Sequence, residues 1–191
     1  MDDLYDSRAK YDQVELLAAL QAYLLYTMML FFHYHTKDEF VNTDFMVKLQ
    51  DLAGDVVGKG TVCLTDTTLS PQAWESWIMA SATQRTLFVL SLFDNLVNFT
   101  VGSPSFIATE LAELLAPASK RLWSASTREI WKKAYDQYRR EWSLGGQFLI
   151  SELWVADGQR DVEGRKRIER WLSGVDEFGM MIYSVTSHTY G

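Results

Sequence analysis

The stretch SPQAWESWIMASATQRTLFVLSLFDNLVNF, Ser70 to Phe99, limits what this chain can fold into more than any other. Ser70 is a good N-cap, because its hydroxyl can accept a bond from a backbone N–H of the first turn. Pro71 suits the first helical position, where its missing N–H costs nothing and its fixed φ is already helical. No helix breaker follows until Thr100 to Pro104. Apolar residues recur with helical period at Trp74, Trp77, Ile78, Phe88, Val89, Leu92, Leu96 and Phe99, with Ser81 and Arg85 polar in the same row. Leu87, Leu90, Phe93 and Val97 widen that stripe almost to the full circumference. A helix apolar nearly all round is a central helix, covered on several sides. Its polar residues, Ser81, Gln84, Arg85, Ser91, Asp94, Asn95 and Asn98, are then the informative ones.

The totals set the frame around that helix. A chain of 191 residues suits one domain and can bury about 70% of its unfolded surface. At 48% hydrophobic and 14% aromatic it has material for a large core and for an apolar pocket, and disorder is excluded. A net charge of −7 points away from direct nucleic-acid binding, which draws its non-specific affinity from Lys and Arg neutralising phosphates. The single cysteine, Cys63, permits no internal disulfide and no cysteine-based zinc site, which fits a reducing, cytoplasmic setting. The N-terminus MDDLYDSRAK is acidic where a secretory signal is basic. Leu16 to Phe32 is strongly apolar, but it is interrupted by Gln21 and Thr27 and is shorter than the ~20 apolar residues that span a bilayer, so it reads as a core helix and not a membrane span.

Periodicity predicts an all-α, single compact domain of seven or eight helices, preceded by a loosely held lead-in over residues 1–12. A first long helix runs from Gln13 to His33, with Leu17, Leu20, Leu24, Met28 and Phe31 in its main apolar row and other faces also apolar, and it should lie inside the protein beside the central helix. Thr43 can cap a helix from Asp44 to Val57 that turns Phe45, Leu49, Leu52, Val56 and Val57 inward, and Gly58 to Gly60 end it. Residues 61–69 read as a connector. After the turn at Gly102 and Pro104, a short helix is expected at Ser119 to Trp123. A longer one follows from Thr127 to Trp142, capped by Ser126, with Ile130, Trp131, Ala134, Tyr138 and Trp142 on its inner side. Gly145 and Gly146 stop it. The charged stretch Gln159 to Arg170 leads into one last helix that becomes apolar at Trp171 and runs to about Thr189.

Trp74, Trp77, Ala80 to Thr86, Leu90 and Leu92 to Asn95 together resemble the middle homology region of fungal transcription factors, the regulatory domain that follows a zinc binuclear cluster in that family. Glu110 to Leu115, Ala116-Pro117, Leu122-Trp123, Trp131, Tyr135 and Val175 to Met181 also resemble it, so the likeness covers Leu16 to the C-terminus. The resemblance implies a helical regulatory body. Three departures stand beside it. The family's Glu-Ser pair and two arginines are replaced by Ser81-Ala82 and Gln84-Arg85, its usual Pro by Leu115, and the cysteine-rich DNA-binding cluster is not in this sequence.

No catalytic constellation is visible. His33 and His35 sit about 200° apart on a helix and make a poor metal clip, His188 has no sequence partner, and Cys63 has no basic neighbour to activate it. Neither a nucleophile elbow, a zinc-protease motif nor a phosphate-cradling glycine loop occurs, so no cofactor or metal is implied. The function this pattern supports is enclosure of an apolar small molecule between the central, first and last helices. The leading reading, with a regulator as the alternative, is a cofactor-free cyclase or pericyclase, of Diels–Alderase type, acting on a terpenoid or polyketide intermediate of fungal secondary metabolism. There Tyr23, Gln84 and Asn95 would be the hydrogen-bonding catalytic groups. Gln21, Tyr26, Trp74, Trp77, Phe88, Asp94, Asn98, Trp154, Met180, Met181 and Tyr183 would line the ligand. The other reading is a non-catalytic regulator, nuclear in that case, that binds a metabolite or a full-length transcription factor, with oligomeric state left open. For each polar residue of the central helix the structural alternative is a partner on a neighbouring helix, because a buried polar group left unpaired costs ~1–3 kcal/mol.

Overall fold

A computed structural model describes residues 2–34, 43–59, 74–103 and 109–190. The expected cap Ser70-Pro71, the connector 61–69, Cys63, His35 and Pro104 lie outside these residues. Among the described residues the chain is all-α, with eight α-helices: α1 (Asp2–Asp6), α2 (Gln13–Tyr34), α3 (Thr43–Gly58), α4 (Trp74–Thr100), α5 (Lys120–Trp123), α6 (Arg128–Glu141), α7 (Val162–Leu172) and α8 (Glu177–Tyr190). The only extended pairing among them is an isolated bridge between Leu115 and Leu149. Residue contacts group into two compact units, Met1–Val62 with Arg85–Ala108, and Cys63–Gln84 with Thr109–Gly191, so α4 contributes its first part to the second unit and its remainder to the first.

In the first unit α2 starts with a reciprocal cap. Asp12 Oδ1 accepts from the Glu15 N–H at 2.9 Å, and Glu15 Oε2 accepts from the Asp12 N–H at 3.0 Å. Leu16, Leu17, Leu20, Leu24 and Phe31 of α2, Leu49, Leu52 and Val56 of α3, and Leu87, Phe88, Leu90, Phe93 and Val97 of α4 are buried. Each such side chain contributes about 1.5–3 kcal/mol of transfer free energy. Phe31 meets Phe93 edge to face at 5.4 Å, and Tyr23 meets Phe45 at 6.3 Å. Gln21 Nε2 donates to Thr86 Oγ1 at 3.0 Å, tying α2 to α4. The expectation that α2 is covered all round is corrected: Leu25, Tyr26, Met29 and Phe32 are exposed. By length and composition Gln13–His33 could cross a membrane, yet close to half of its most apolar stretch is packed inside the protein. On α4 the ends are open, with Phe99 76% exposed, and on α3 Val57 faces outward.

The second unit is built from α5 to α8 and the start of α4. Thr127, and not Ser126, caps α6, its hydroxyl accepting from the Ile130 N–H. The inner face of α6 is Trp131, Tyr135 and Trp142, with Tyr138 part-buried, while Ile130 is 50% exposed, which corrects its expected inward placement. The expected single last helix is two helices. Asp161 caps α7 through the Gly164 N–H, α7 ends at Leu172, and the chain turns through Ser173 and Gly174. Asp176, buried, then opens α8 by accepting from the Gly179 N–H at 3.0 Å. A side-chain acceptor placed three residues before a free N–H starts a new helix, and it does so here within what hydrophobicity alone presents as one continuous run. Asp176→Ala should therefore lower stability by about 1–2 kcal/mol, the cost of losing a cap in a buried position. Urea-denaturation midpoints measure it, and Asp176→Asn, which keeps the acceptor, should recover most of the loss.

Candidate functional site

The site is built on an aromatic row in the second unit. Trp77 of α4 lies 5.9 Å from Trp131, which stacks on Tyr135 at 4.7 Å. Tyr138, Trp142, Phe148 and Trp171 continue the row at successive centroid separations of 6.4, 6.3, 5.6 and 5.4 Å. Residues 131, 135, 138 and 142 follow the i, i+4, i+7, i+11 spacing, so one face of α6 and its C-cap Trp142 carries four of these rings. Phe148 and Trp171 are brought to them by two backbone braces. The Ala116 N–H donates to the Phe148 carbonyl, and the Ile150 N–H to the Leu114 carbonyl, both at 2.9 Å. Trp171 Nε1 donates to the Pro117 carbonyl at 2.9 Å, and the Lys120 N–H to the Gly174 carbonyl at 2.8 Å.

Arg167 fixes the turn between α6 and the short 3₁₀ segment Ile150–Trp154. Its Nε and Nη2 grip both oxygens of Glu152 at 2.6 and 2.7 Å, and its other N–H groups donate to the carbonyls of Gly145, Gly146 and Gln147. Gly145 and Gly146 have φ of +84° and +74°, a conformation side chains resist, and a Cβ on Gly145 would fall 2.9 Å from the Arg167 guanidinium. The guanidinium lies 5.2 Å from the Trp142 ring centroid and 5.7 Å from that of Phe148. The hydrogen-bonded Glu152 carboxylate raises the Arg167 pKa still further, so the fork is charged at every working pH.

These braces leave a cleft of about 510 Å³. Its floor is Trp142, Phe148 and Trp171, which are 4%, 2% and 6% exposed, with Tyr138 beside them. Its rim is exposed and polar: Arg121, Gln137, Glu141 and Arg170. Behind Tyr138 and Ala116, which line both spaces, is a smaller pocket of about 40 Å³ reached by Trp77, Ser81, Gln84 and Gln147. That is room for water, not for a polycyclic substrate. Burial holds the Tyr138 phenol far above its ordinary pKa, so it stays a neutral O–H that can donate or accept.

The residues singled out in the sequence are dispersed. Trp77 and Gln84 share the water-sized pocket, and Trp74 packs on the cluster of Leu122, Trp131 and Tyr135. Trp154 is part-buried in its 3₁₀ turn, Tyr183 is part-buried on α8, and Met180 and Met181 are exposed there. In the first unit Tyr23 and Phe88 are buried, Asn95 is part-buried and Tyr26 is 49% exposed. Asp94 accepts from Asn98 at 3.1 Å and from Gln50 of α3 at 3.4 Å, the structural alternative for this group, and Gln21 is engaged with Thr86. No group of three or more His, Cys, Asp or Glu converges among the described residues.

What fold and site define is a helical protein with an aromatic-floored cleft in its second unit. No protein-family model, curated protein or solved structure matches the chain. Because Arg167 makes a planar two-pronged grip that an ammonium cannot, Arg167→Lys should cost about 2–4 kcal/mol. It should also weaken the near-ultraviolet circular dichroism of the tryptophans around it, and equilibrium urea unfolding followed by both signals tests this.

Proposed function

We propose that the chain is a non-catalytic small-molecule-binding domain, a ligand-responsive regulatory body whose ligand lies in the cleft over Trp142, Phe148 and Trp171. The single observation that carries this reading is the cleft itself. It combines a volume of about 510 Å³, within the ~300–1,000 Å³ range usual for small-molecule sites, with a buried aromatic floor and an exposed polar rim. The resemblance to the regulatory domain of fungal zinc-cluster transcription factors supports the same reading, and a body of that kind would act in the nucleus by changing stability or partner affinity on binding.

The cyclase alternative asks for more. A cyclisation through reactive intermediates needs a chamber closed to water with a donor aimed at the substrate. Gln84, the proposed donor of the second unit, borders a space of about 40 Å³, and the larger cleft has an exposed rim. The open, polar-rimmed cleft supports the binding reading over the cyclase one.

The test is a thermal-shift and tryptophan-fluorescence screen of the purified chain against planar aromatic and polyketide-like compounds. A true ligand at ~100 times its Kd should raise stability by about 2.7 kcal/mol and be recovered unchanged by mass spectrometry and chromatography. Ser173→Trp, which places a bulky ring at the exposed mouth of the cleft, should abolish the shift without lowering the ligand-free melting temperature. Recovery of a bound compound as an isomer would overturn the non-catalytic reading.

A further inference from the structure

Three arginines stand around the cleft region, and they are not equivalent. Arg167 is saturated, its donors spent on Glu152 and three backbone carbonyls. Arg170 and Arg121 line the cleft and are exposed. Arg170 Nη1 donates to the Glu141 backbone carbonyl at 3.2 Å while its guanidinium carbon lies 5.5 Å from the Trp142 centroid. Arg121 Nη1 donates to the Gln137 Oε1 at 3.2 Å. These are bonds to neutral oxygens. A guanidinium carries five N–H groups, so each of these two keeps donors that its bonds within the chain do not use. The third charge on the rim is Glu141, whose carboxylate already accepts from Gln137 Nε2 at 2.7 Å. The rim thus carries two positive charges against one negative, above a floor of indole and phenyl rings, in a chain whose net charge is −7.

We infer that the ligand of this cleft is a planar aromatic acid, its ring system in the cleft that Trp142, Phe148 and Trp171 border and its carboxylate or sulfonate held by Arg170 and Arg121. This rests on the binding function proposed above and adds the chemistry of the ligand. Flat rings match the aromatic floor by offset or edge contacts, and a guanidinium fork matches a planar anion through two parallel N–H···O bonds. The same geometry assigns Glu141 the role of a selectivity charge, opposing the anion weakly so that rings and charge are both required.

The test uses two fluorescent probes that differ in the acid group, 1-anilinonaphthalene-8-sulfonate and its neutral counterpart N-phenyl-1-naphthylamine, titrated into the full chain. The Arg121→Gln, Arg170→Gln double variant should weaken the anionic probe by about tenfold and the neutral one by less than about twofold. Glu141→Gln should tighten the anionic probe by about two- to threefold, and added salt should weaken it. Circular dichroism and melting of each variant show that the fold is kept, and the Glu141→Gln variant keeps both arginines in place. If the two probes respond alike to all three substitutions and to salt, the acid-reading inference is overturned while cleft binding stands. If Ser173→Trp leaves binding of both probes unchanged, the cleft is not the site and the binding function itself fails.

Discussion

The Arg167–Glu152 grip is the interaction on which the second unit depends. Two oxygens, three carbonyls and two aromatic faces converge on one guanidinium whose side chain is 12% exposed. A charge pair at this depth is not stabilising merely by existing, because both ions give up water; it is favourable where every donor and acceptor finds a partner. Here all do, and the consequence is positional. The grip closes the turn at Gly145 and Gly146, sets Phe148 beside Trp142, and orients the carboxylate that also accepts from the Leu149 N–H to start the 3₁₀ segment. Without it the turn that carries Phe148 would lose its tie to α7.

The aromatic row gives the unit its core and its cleft at once. Rings in edge or offset contact contribute about 0.5–1.5 kcal/mol per pair beyond burial, and seven rings in series make the inner face of α6 stiff. A stiff floor loses little entropy when a flat ligand settles on it, which is the physical meaning of a pre-formed site. Tyr138 occupies the middle of the row and lines both the cleft and the small polar pocket with Ser81 and Gln84.

Much of the architecture was legible because long periodic segments state their own identity. Gln13–Tyr34, Thr43–Gly58, Trp74–Thr100 and Arg128–Glu141 fall within a residue or a few of where spacing and breakers place them. The break between α7 and α8 was less visible, since the apolar run from Trp171 onward hides a stop at the C-cap Ser173 and a start made by Asp176, signals of one residue each. The outer face of α2 misled for the opposite reason: Leu25, Met29 and Phe32 are apolar, and hydrophobicity says what could be buried, not what is.

The candidate site was the least legible, and α4 explains why. Ser81, Gln84, Asp94 and Asn98 look like one polar row, yet the contacts of the helix divide between two units at Gln84 and Arg85. Ser81 and Gln84 border a water-sized pocket, whereas Asp94 and Asn98 satisfy one another and Gln50. The cleft residues carry no comparable signal. Arg121, Gln137, Glu141 and Arg170 are ordinary members of solvated helix faces, and only the braces through Pro117 and Gly174 bring them to one rim. The hint available in the sequence was quantity. Trp131, Tyr135 and Tyr138 on the fourteen residues of an otherwise charged helix, with Trp142 at its C-cap, put four rings at helical spacing on one side, and that concentration marks the face on which the second unit is built.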